Sequence, residues 1–372
     1  MSNKTNRLHS LDVLRGLDLF MLVGLHPILW QALPKIEYHF FNTTIFKQLD
    51  HVQWEGFSCW DLVMPLFLFM SGVTMPFSLP KYLKNNNNRI LWQRVIKRFV
   101  ILFLLGMIVQ GNVLSLDPNH IYIYSNTLQA IAVGYLLTVP IVLYMRPKMQ
   151  IAMIAILLLI YTIPMMLYGD WTPDGNFACK VDKLILGRFR DGSYLTEAGV
   201  WQFASSYNYT WIWSSLTFCC TVALGSIAGN IIKNGNSNKN RTALILFIIG
   251  IALALLGTIW GAWQPIIKRI WSASMTVYSA GWCFLLLTLF YWWIDIKGHK
   301  KGTEWLMYYG CNAICAYVIG EIINFRSIPE SLLRGTAAYL GEWYPVLLTT
   351  CNSIILFLIL AAMYKRKIFL KV

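Results

Sequence analysis

The stretch QIAMIAILLLIYTIPMMLY, residues 150–168, contains no charged side chain. It is long enough to cross the hydrocarbon core of a bilayer as a helix. Comparable apolar stretches recur on both sides of it along the whole chain. A helix satisfies its backbone hydrogen bonds internally, as the interior of a bilayer requires. The pattern therefore predicts a bundle of membrane-crossing helices.

The composition favours the same class of protein. Of the 372 residues, 57% are hydrophobic and only 13% are charged, whereas soluble domains carry about 25% charged residues. The net charge of +14 would suggest nucleic-acid binding in a soluble protein. Because basic residues also collect in the cytoplasmic loops of membrane proteins, we predict no nucleic-acid partner. The eight cysteines show no metal-ligand spacing, so neither a metal site nor a disulfide framework is predicted.

We predict an all-α integral membrane protein with about ten transmembrane helices in a single domain, residues 1–372. The predicted spans cover residues 13–33, 60–80, 95–114, 125–145, 150–168, 211–232, 242–260, 273–295, 305–325 and 345–364. About two thirds of the 31 lysines and arginines fall on the side that holds both chain ends. Both termini are therefore predicted to be cytoplasmic.

Three predicted outer segments are long, at residues 34–59, 169–210 and 326–344. Long loops in compact proteins usually carry function. The second is rich in aromatic and turn residues, and for this segment a packing cap over the bundle is the alternative.

The first predicted span carries four ionisable residues, Asp12, Arg15, Asp18 and His26. A charge at mid-bilayer costs about 2.5–3.5 kcal/mol on insertion scales, so each needs a partner or a wet cavity. Arg15 and His26 are separated by close to three turns of an α-helix, which predicts that both face one vertical groove. Alternatively, Asp12 and Arg15 anchor the helix in the headgroup layer.

The segment before the second span is rich in ionisable side chains. His51 lies on the predicted outer side, and Asp61 begins an otherwise apolar helix. Histidine exchanges a proton near neutral pH, and a nearby carboxylate fixes its orientation. From chemistry alone, His51 is either a catalytic base or an ordinary surface residue. Further along the chain, Asn312 and Glu321 fall inside the ninth predicted span, and Glu321 is predicted to line a cavity.

Several motifs resemble the transmembrane acetyltransferase family, in order and with matching topology. They are SLDVLRG (residues 10–16), HVQWEG (51–56), DLVMPLFLFMSG (61–72), LQAIAVGY (128–135), PIIKRIWSAS (265–274) and WIDIKG (293–298). The resemblance covers the chain from about residue 8 to its end. Bacterial relatives in this family are linked to N-acetylglucosamine metabolism.

The resemblance implies an acetyl-CoA-dependent amino-sugar N-acetyltransferase. Family members take acetyl-CoA from the cytoplasm and acetylate a glucosamine amine on the far side of the membrane. The family's catalytic histidine falls on His51, within a motif that also contains Trp54 and Asp61. An asparagine of a lysosomal member falls on His26. The cytoplasmic membrane of a bacterium is the expected location.

With that expectation we assign roles to the polar residues. His51, Asp61 and His26 are predicted to be catalytic. Cations are needed for the polyanionic nucleotide end of acetyl-CoA, and the predicted set is Arg15, Lys97, Arg98 and Lys297. The predicted sugar contacts are Trp54, Asn312 and Glu321. The expected partners are acetyl-CoA, a small amino sugar and membrane lipids, and the oligomeric state is left open, a homodimer included.

A transporter of amino sugars or their anhydro derivatives is the competing interpretation. Intramembrane charges and a polar cavity are also what a carrier needs. The two halves of the chain show no internal repeat of the kind that many carriers have. Binding of an acetyl-CoA analogue would separate the enzyme from the carrier.

Overall fold

A computed structural model describes residues 8–36, 46–80, 88–235 and 238–370. Residues 37–45 of the predicted outer loop 34–59, and both chain termini, lie outside the described residues. Helices make up most of the described chain. In chain order they are α1 (His9–Lys35), α2 (Phe46–Leu49), α3 (Trp60–Ser78), α4 (Asn88–Val109), α5 (Thr127–Tyr144), α6 (Pro147–Tyr168), α7 (Phe177–Leu186), α8 (Ser215–Asn234), α9 (Lys239–Gly261), α10 (Ala273–Ile296), α11 (Glu304–Cys311), α12 (Ala313–Ile322), α13 (Ser327–Leu333), and, after the short helix Ala337–Leu340, α14 (Tyr344–Lys365).

Two of the long helices contain a π-helical segment. Residues Phe20–Leu25 of α1 and Tyr291–Ile296 of α10 form π-helical turns. Such turns widen the helix and shift the direction of every side chain that follows. In α1, the shift lies between Arg15 and His26.

Within the described residues, eight helical stretches are long and apolar enough to cross a membrane. They are α1, α3, α5, α6, α8, α9, α10 and the stretch Ser327–Lys365, which ends in α14. The prediction of an all-α multi-pass membrane protein is confirmed. The predicted span 95–114 corresponds to α4, whose first half carries basic residues, and the span 305–325 is broken into α11 and α12 at Asn312. The number ten therefore stays a prediction.

The chain divides into two compact units. The first consists of the described parts of residues 1–51, 58–63 and 286–371. In this unit α1 packs closely on α11, because Gly16 faces the carbonyl of Leu306 and Gly310 faces the carbonyl of Asp12. A β-carbon at either glycine would overlap the facing backbone. Small residues of this kind allow membrane helices to approach to backbone contact.

The second unit consists of residues 52–57 and the described parts of 64–285. The same type of contact joins α3 to α8 in this unit. Gly72 faces the carbonyl of Val222, and Gly225 faces that of Phe69. Both units therefore have a core in which helix backbones touch at glycine.

The predicted outer segment 169–210 is a folded substructure of the second unit. It contains α7 and a two-stranded antiparallel hairpin, β1 (Ser193–Leu195) and β2 (Trp201–Phe203). The buried carboxylate of Asp182 on α7 accepts hydrogen bonds from the backbone N–H groups of Trp211 and Ile212, at 2.8 and 2.9 Å. Burial raises the pKa of Asp182 to about 7. These contacts tie α7 to the residues just before α8.

Candidate active site

The first turn of α3 holds the side chain of His51. Asp61 lies in this turn and is 1% exposed, and its Oδ1 is 2.8 Å from Nδ1 of His51. An ionised carboxylate only accepts hydrogen bonds, so Nδ1 is the donor and Nε2 carries the lone pair in the neutral ring. The contact therefore presents Nε2 of His51 as the proton-accepting nitrogen.

Ser58 holds the other oxygen of Asp61. The Ser58 backbone N–H donates to Asp61 Oδ2 at 3.1 Å, and the Asp61 N–H donates to Ser58 Oγ at 3.3 Å. This reciprocal pair is a capping box at the start of α3. The Ser58 hydroxyl is also 2.7 Å from the carbonyl oxygen of Asp50. One oxygen of Asp61 is thus used by the helix cap, and the other is left for the imidazole.

His26, on α1, lies beside the same cluster of side chains. Its ring stacks on Trp60 with the centroids 4.0 Å apart and the planes 13° apart. Trp60 in turn lies 6.4 Å from the His51 ring. Nε2 of His26 is buried and has no hydrogen-bond partner among the residues that the structure describes. The structure thus brings together the three residues that were predicted to be catalytic.

A cavity of about 320 Å³ opens at this cluster. It lies entirely within the first unit. Its walls are His26, Pro27, Trp30, Gln31, Asp50, His51, Trp60 and Arg326. The cavity therefore combines two imidazoles and two indoles with one acidic and one basic side chain.

Four other predicted site residues belong to the first unit but do not line this cavity. Arg15 is half-buried on α1, and Lys297 is exposed with its ammonium 5.4 Å from the Trp292 ring centroid. Asn312 is fully buried at the helix break, and Glu321 is exposed. Their predicted roles stay predictions.

The amide of Asn312 is occupied by the chain's own backbone. Its Nδ2 donates to the carbonyl of Ile368 at 3.0 Å, and its Oδ1 accepts from the N–H of Leu370 at 3.0 Å. These bonds hold the C-terminal segment against the break between α11 and α12. This geometry favours a structural role for Asn312 over sugar binding.

Trp54, Lys97 and Arg98 belong to the second unit. The indole N–H of Trp54 donates to the carbonyl of Trp171 at 2.6 Å. On α4, Lys97 is exposed, and the guanidinium of Arg98 lies 4.3 Å from the ring centroid of Tyr135. The binding of sugar by Trp54 and of acetyl-CoA by the two cations stays a prediction.

The motif analysis gave no role in the site to Asp50, Ser58, Trp60 and Arg326. Ser58 had a local signal, because a serine three residues before an acid at the start of an apolar helix is the capping-box pattern. Asp50 and Trp60 adjoin the predicted His51 and Asp61. Arg326 is distant in sequence from the other cavity residues, and no local pattern connects it to them.

Comparison with known proteins shows what the chain is similar to. Residues 7–177 match the family model described as heparan-alpha-glucosaminide N-acetyltransferase, catalytic. The matched region contains His26, His51 and Asp61. The predicted resemblance to the transmembrane acetyltransferase family is thereby confirmed.

Two curated relatives carry that same name. The human (Homo sapiens) protein is 22% identical to this chain over 98% of the chain and 60% of its own length. The mouse (Mus musculus) protein is 22% identical over 100% of the chain and 61% of its own length. The chain therefore spans about three fifths of the length of the curated relatives that it matches.

Proposed function

We propose that this protein is a membrane-embedded acetyltransferase that moves the acetyl group of acetyl-CoA to the amine of a glucosamine-type sugar. The observation that carries the proposal is the His51–Asp61 pair, which opens onto a cavity within the first unit. Asp61 and every residue that lines the cavity except Arg326 lie inside the region matched by the family model. The names of the relatives support an amino sugar as the acceptor.

The proposal includes a direction of transfer. Acetyl-CoA is taken from the cytoplasm, and the sugar is acetylated on the exoplasmic side of a bacterial cytoplasmic membrane. The basic asymmetry of the predicted loops supports this arrangement. Arg15, Lys97, Arg98 and Lys297 remain the proposed contacts for the nucleotide end of acetyl-CoA.

In the direct mechanism, His51 acts as a general base. The sugar amine attacks the carbonyl carbon of the thioester while Nε2 of His51 takes one proton from the nitrogen. The anionic Asp61 stabilises the imidazolium that forms. When the C–S bond breaks, the sulfur of CoA takes this proton, and His51 returns to its neutral form with the new C–N bond complete.

In the relay mechanism, Nε2 of His51 attacks the thioester itself. The C–S bond breaks, CoA leaves as the thiolate, and the acetyl group is held on the imidazolium ring. The amine then attacks this acetyl group, the N–C bond to His51 breaks, and the proton lost by the amine goes to the thiolate. Incubation with radiolabelled acetyl-CoA in the absence of acceptor separates the two mechanisms. Label that stays on His51 indicates relay, and an unlabelled protein indicates direct attack.

Replacement of His51 tests the proposed function. Purified protein in detergent is given acetyl-CoA and a panel of amino sugars, and free CoA is measured. General-base assistance contributes about 10²–10⁴ in rate, so His51→Ala should lose at least that factor. Protein expression and binding of an acetyl-CoA analogue should be unchanged.

His120→Ala is the matched control. His120 forms the same kind of pair with Asp117, Nδ1 to Oδ2 at 2.6 Å, but its side chain is 54% exposed and does not line the cavity. Transfer by this variant should equal that of the wild type. The proposed role of His51 is wrong if His51→Ala keeps more than about a tenth of wild-type transfer. Uptake of an amino sugar into proteoliposomes without release of CoA would instead support the carrier.

A further inference from the structure

Two opposite charges face the same cavity without neutralising each other. Asp50 and Arg326 both line it. Among the described residues, neither side chain lies within ion-pair distance of the other or of any further charged group. Opposite charges that share a partly buried site normally pair, because separation leaves the desolvation cost of each uncompensated.

Asp50 is fixed beside the base. Its Oδ1 accepts the backbone N–H of His51 at 2.7 Å, and its carbonyl oxygen is 2.7 Å from the hydroxyl of Ser58. Its second carboxylate oxygen has no partner in the part of the chain that the structure describes. A fixed carboxylate next to a proton acceptor suits an incoming ammonium group.

Neutral hydrogen-bonding groups hold Arg326 and its backbone in place. Its backbone N–H donates to Asn324 Oδ1 at 3.0 Å, and the neighbouring N–H of Phe325 donates to Asn352 Oδ1 at 2.8 Å. Its Nη2 donates to the buried hydroxyl of Thr349. A guanidinium has five N–H donors, so four remain without a partner among the described residues. These four donors are suited to a planar or tetrahedral oxyanion.

We infer that the cavity takes a zwitterionic amino sugar, with its ammonium at Asp50 and an acidic substituent, a carboxylate, phosphate or sulfate, at Arg326. This inference rests on the proposed function for the identity of the reacting amine. Binding at Asp50 places that nitrogen beside His51. The ammonium loses one proton to solvent before the neutral amine attacks the thioester. The ligand then supplies the ion pairs that Asp50 and Arg326 do not form with other described residues. Arg326 is thus a specificity-determining residue.

The experiment compares acceptors that differ in the acidic group. Glucosamine, glucosamine 6-phosphate and 2-amino-2-deoxyglucuronic acid are each supplied with acetyl-CoA. Charge-assisted hydrogen bonds are strong enough that wild-type kcat/KM should favour the acidic sugars by about 10-fold or more. Arg326→Gln should abolish this preference, because it should lower transfer to the acidic sugars at least 10-fold more than transfer to glucosamine. Arg326→Lys should retain part of it, because lysine keeps the charge but loses the bidentate fork.

Arg334→Gln and Glu330→Gln are the matched controls. Both residues are exposed in the same outer segment and neither lines the cavity. Both variants should keep the wild-type preference. Asp50→Asn should instead weaken the binding of all three sugars, because each of them carries the ammonium group.

A binding measurement makes the inference independent of catalysis. Calorimetric titration of each sugar into wild-type protein without acetyl-CoA should give tighter binding of the acidic sugars, and Arg326→Gln should remove the difference. Equal binding of neutral and acidic sugars by the wild type, or a preference that survives Arg326→Gln, overturns the inference. Acidic-sugar binding through Arg326 without acetyl transfer to any sugar would uphold the inference and refute the proposed function.

Discussion

Asp61 performs two tasks at the residue scale. Its backbone N–H and Oδ2 close the first turn of α3 with Ser58, and its Oδ1 orients His51. Asp61→Asn keeps the size of the side chain but removes the negative charge. Loss of a hydrogen bond to a charged group costs about 1.5–3 kcal/mol, so kcat should fall about 10- to 100-fold, less than for His51→Ala. The KM for acetyl-CoA should not change.

Ser58→Ala separates the two tasks of Asp61. It removes the hydroxyl side of the capping box and leaves the His51–Asp61 contact in place. Loss of a cap costs about 1 kcal/mol, so this variant should lower the unfolding temperature in detergent with little effect on kcat. A wild-type kcat in Asp61→Asn would show that Asp61 acts only in the helix cap and does not assist His51.

Part of the site was predictable from local sequence. His51 and Asp61 flank the start of an apolar helix, so their contact needs only one loop of chain. The stacking of His26 on Trp60 joins residues of different helices, and the position of Arg326 depends on its contact with Thr349 on α14. Such contacts are set by the packing of distant elements. One sequence without that packing does not determine them.

At the scale of elements, the predicted groove illustrates the limit of a regular helix. Arg15 and His26 share a face only if α1 keeps 3.6 residues per turn between them. The π-helical turns at Phe20–Leu25 break that period. His26 instead stacks on Trp60, and Arg15 does not line the cavity. A hydropathy pattern does not reveal such a turn, because the turn changes the direction in which the side chains point and not their polarity.

The contact between α1 and α11 gives a test at the same scale. Gly310→Ala would place a methyl group against the carbonyl oxygen of Asp12. Overpacking of this kind costs about 1–3 kcal/mol, so the variant should unfold at a lower temperature in detergent than the wild type. Gly335→Ala is the control, because nothing lies within 4 Å of a β-carbon built there. Equal unfolding temperatures for both variants would contradict the close approach of α1 and α11.

At the scale of the whole molecule, thiol labelling tests the proposed orientation in the membrane. Glu197 is exposed in the turn between β1 and β2, and Lys300 is exposed after α10. We expect Glu197→Cys, but not Lys300→Cys, to react with a membrane-impermeant thiol reagent in intact cells. The exposed Cys59 is first replaced by serine. Both cysteines should react after lysis, and the reverse pattern in intact cells would invert the proposed topology.

The class of fold was predictable at this scale, because hydrophobic length alone marks a membrane-crossing helix. The break at Asn312 was not. An asparagine inside an apolar stretch is also compatible with a continuous helix. What stabilises the break is the hydrogen bonding of its amide to Ile368 and Leu370, near the end of the described chain.

These two bonds bear on how the protein is produced. Residues 368 and 370 are held by a buried side chain, so this part of the chain belongs to the fold and is a poor place for an affinity tag. Trimming before residue 368 would leave a buried amide without partners, a loss worth about 1–3 kcal/mol per group. A purification handle is better placed after a flexible spacer or in the exposed turn around Glu197, where it would strain no contact of Asn312.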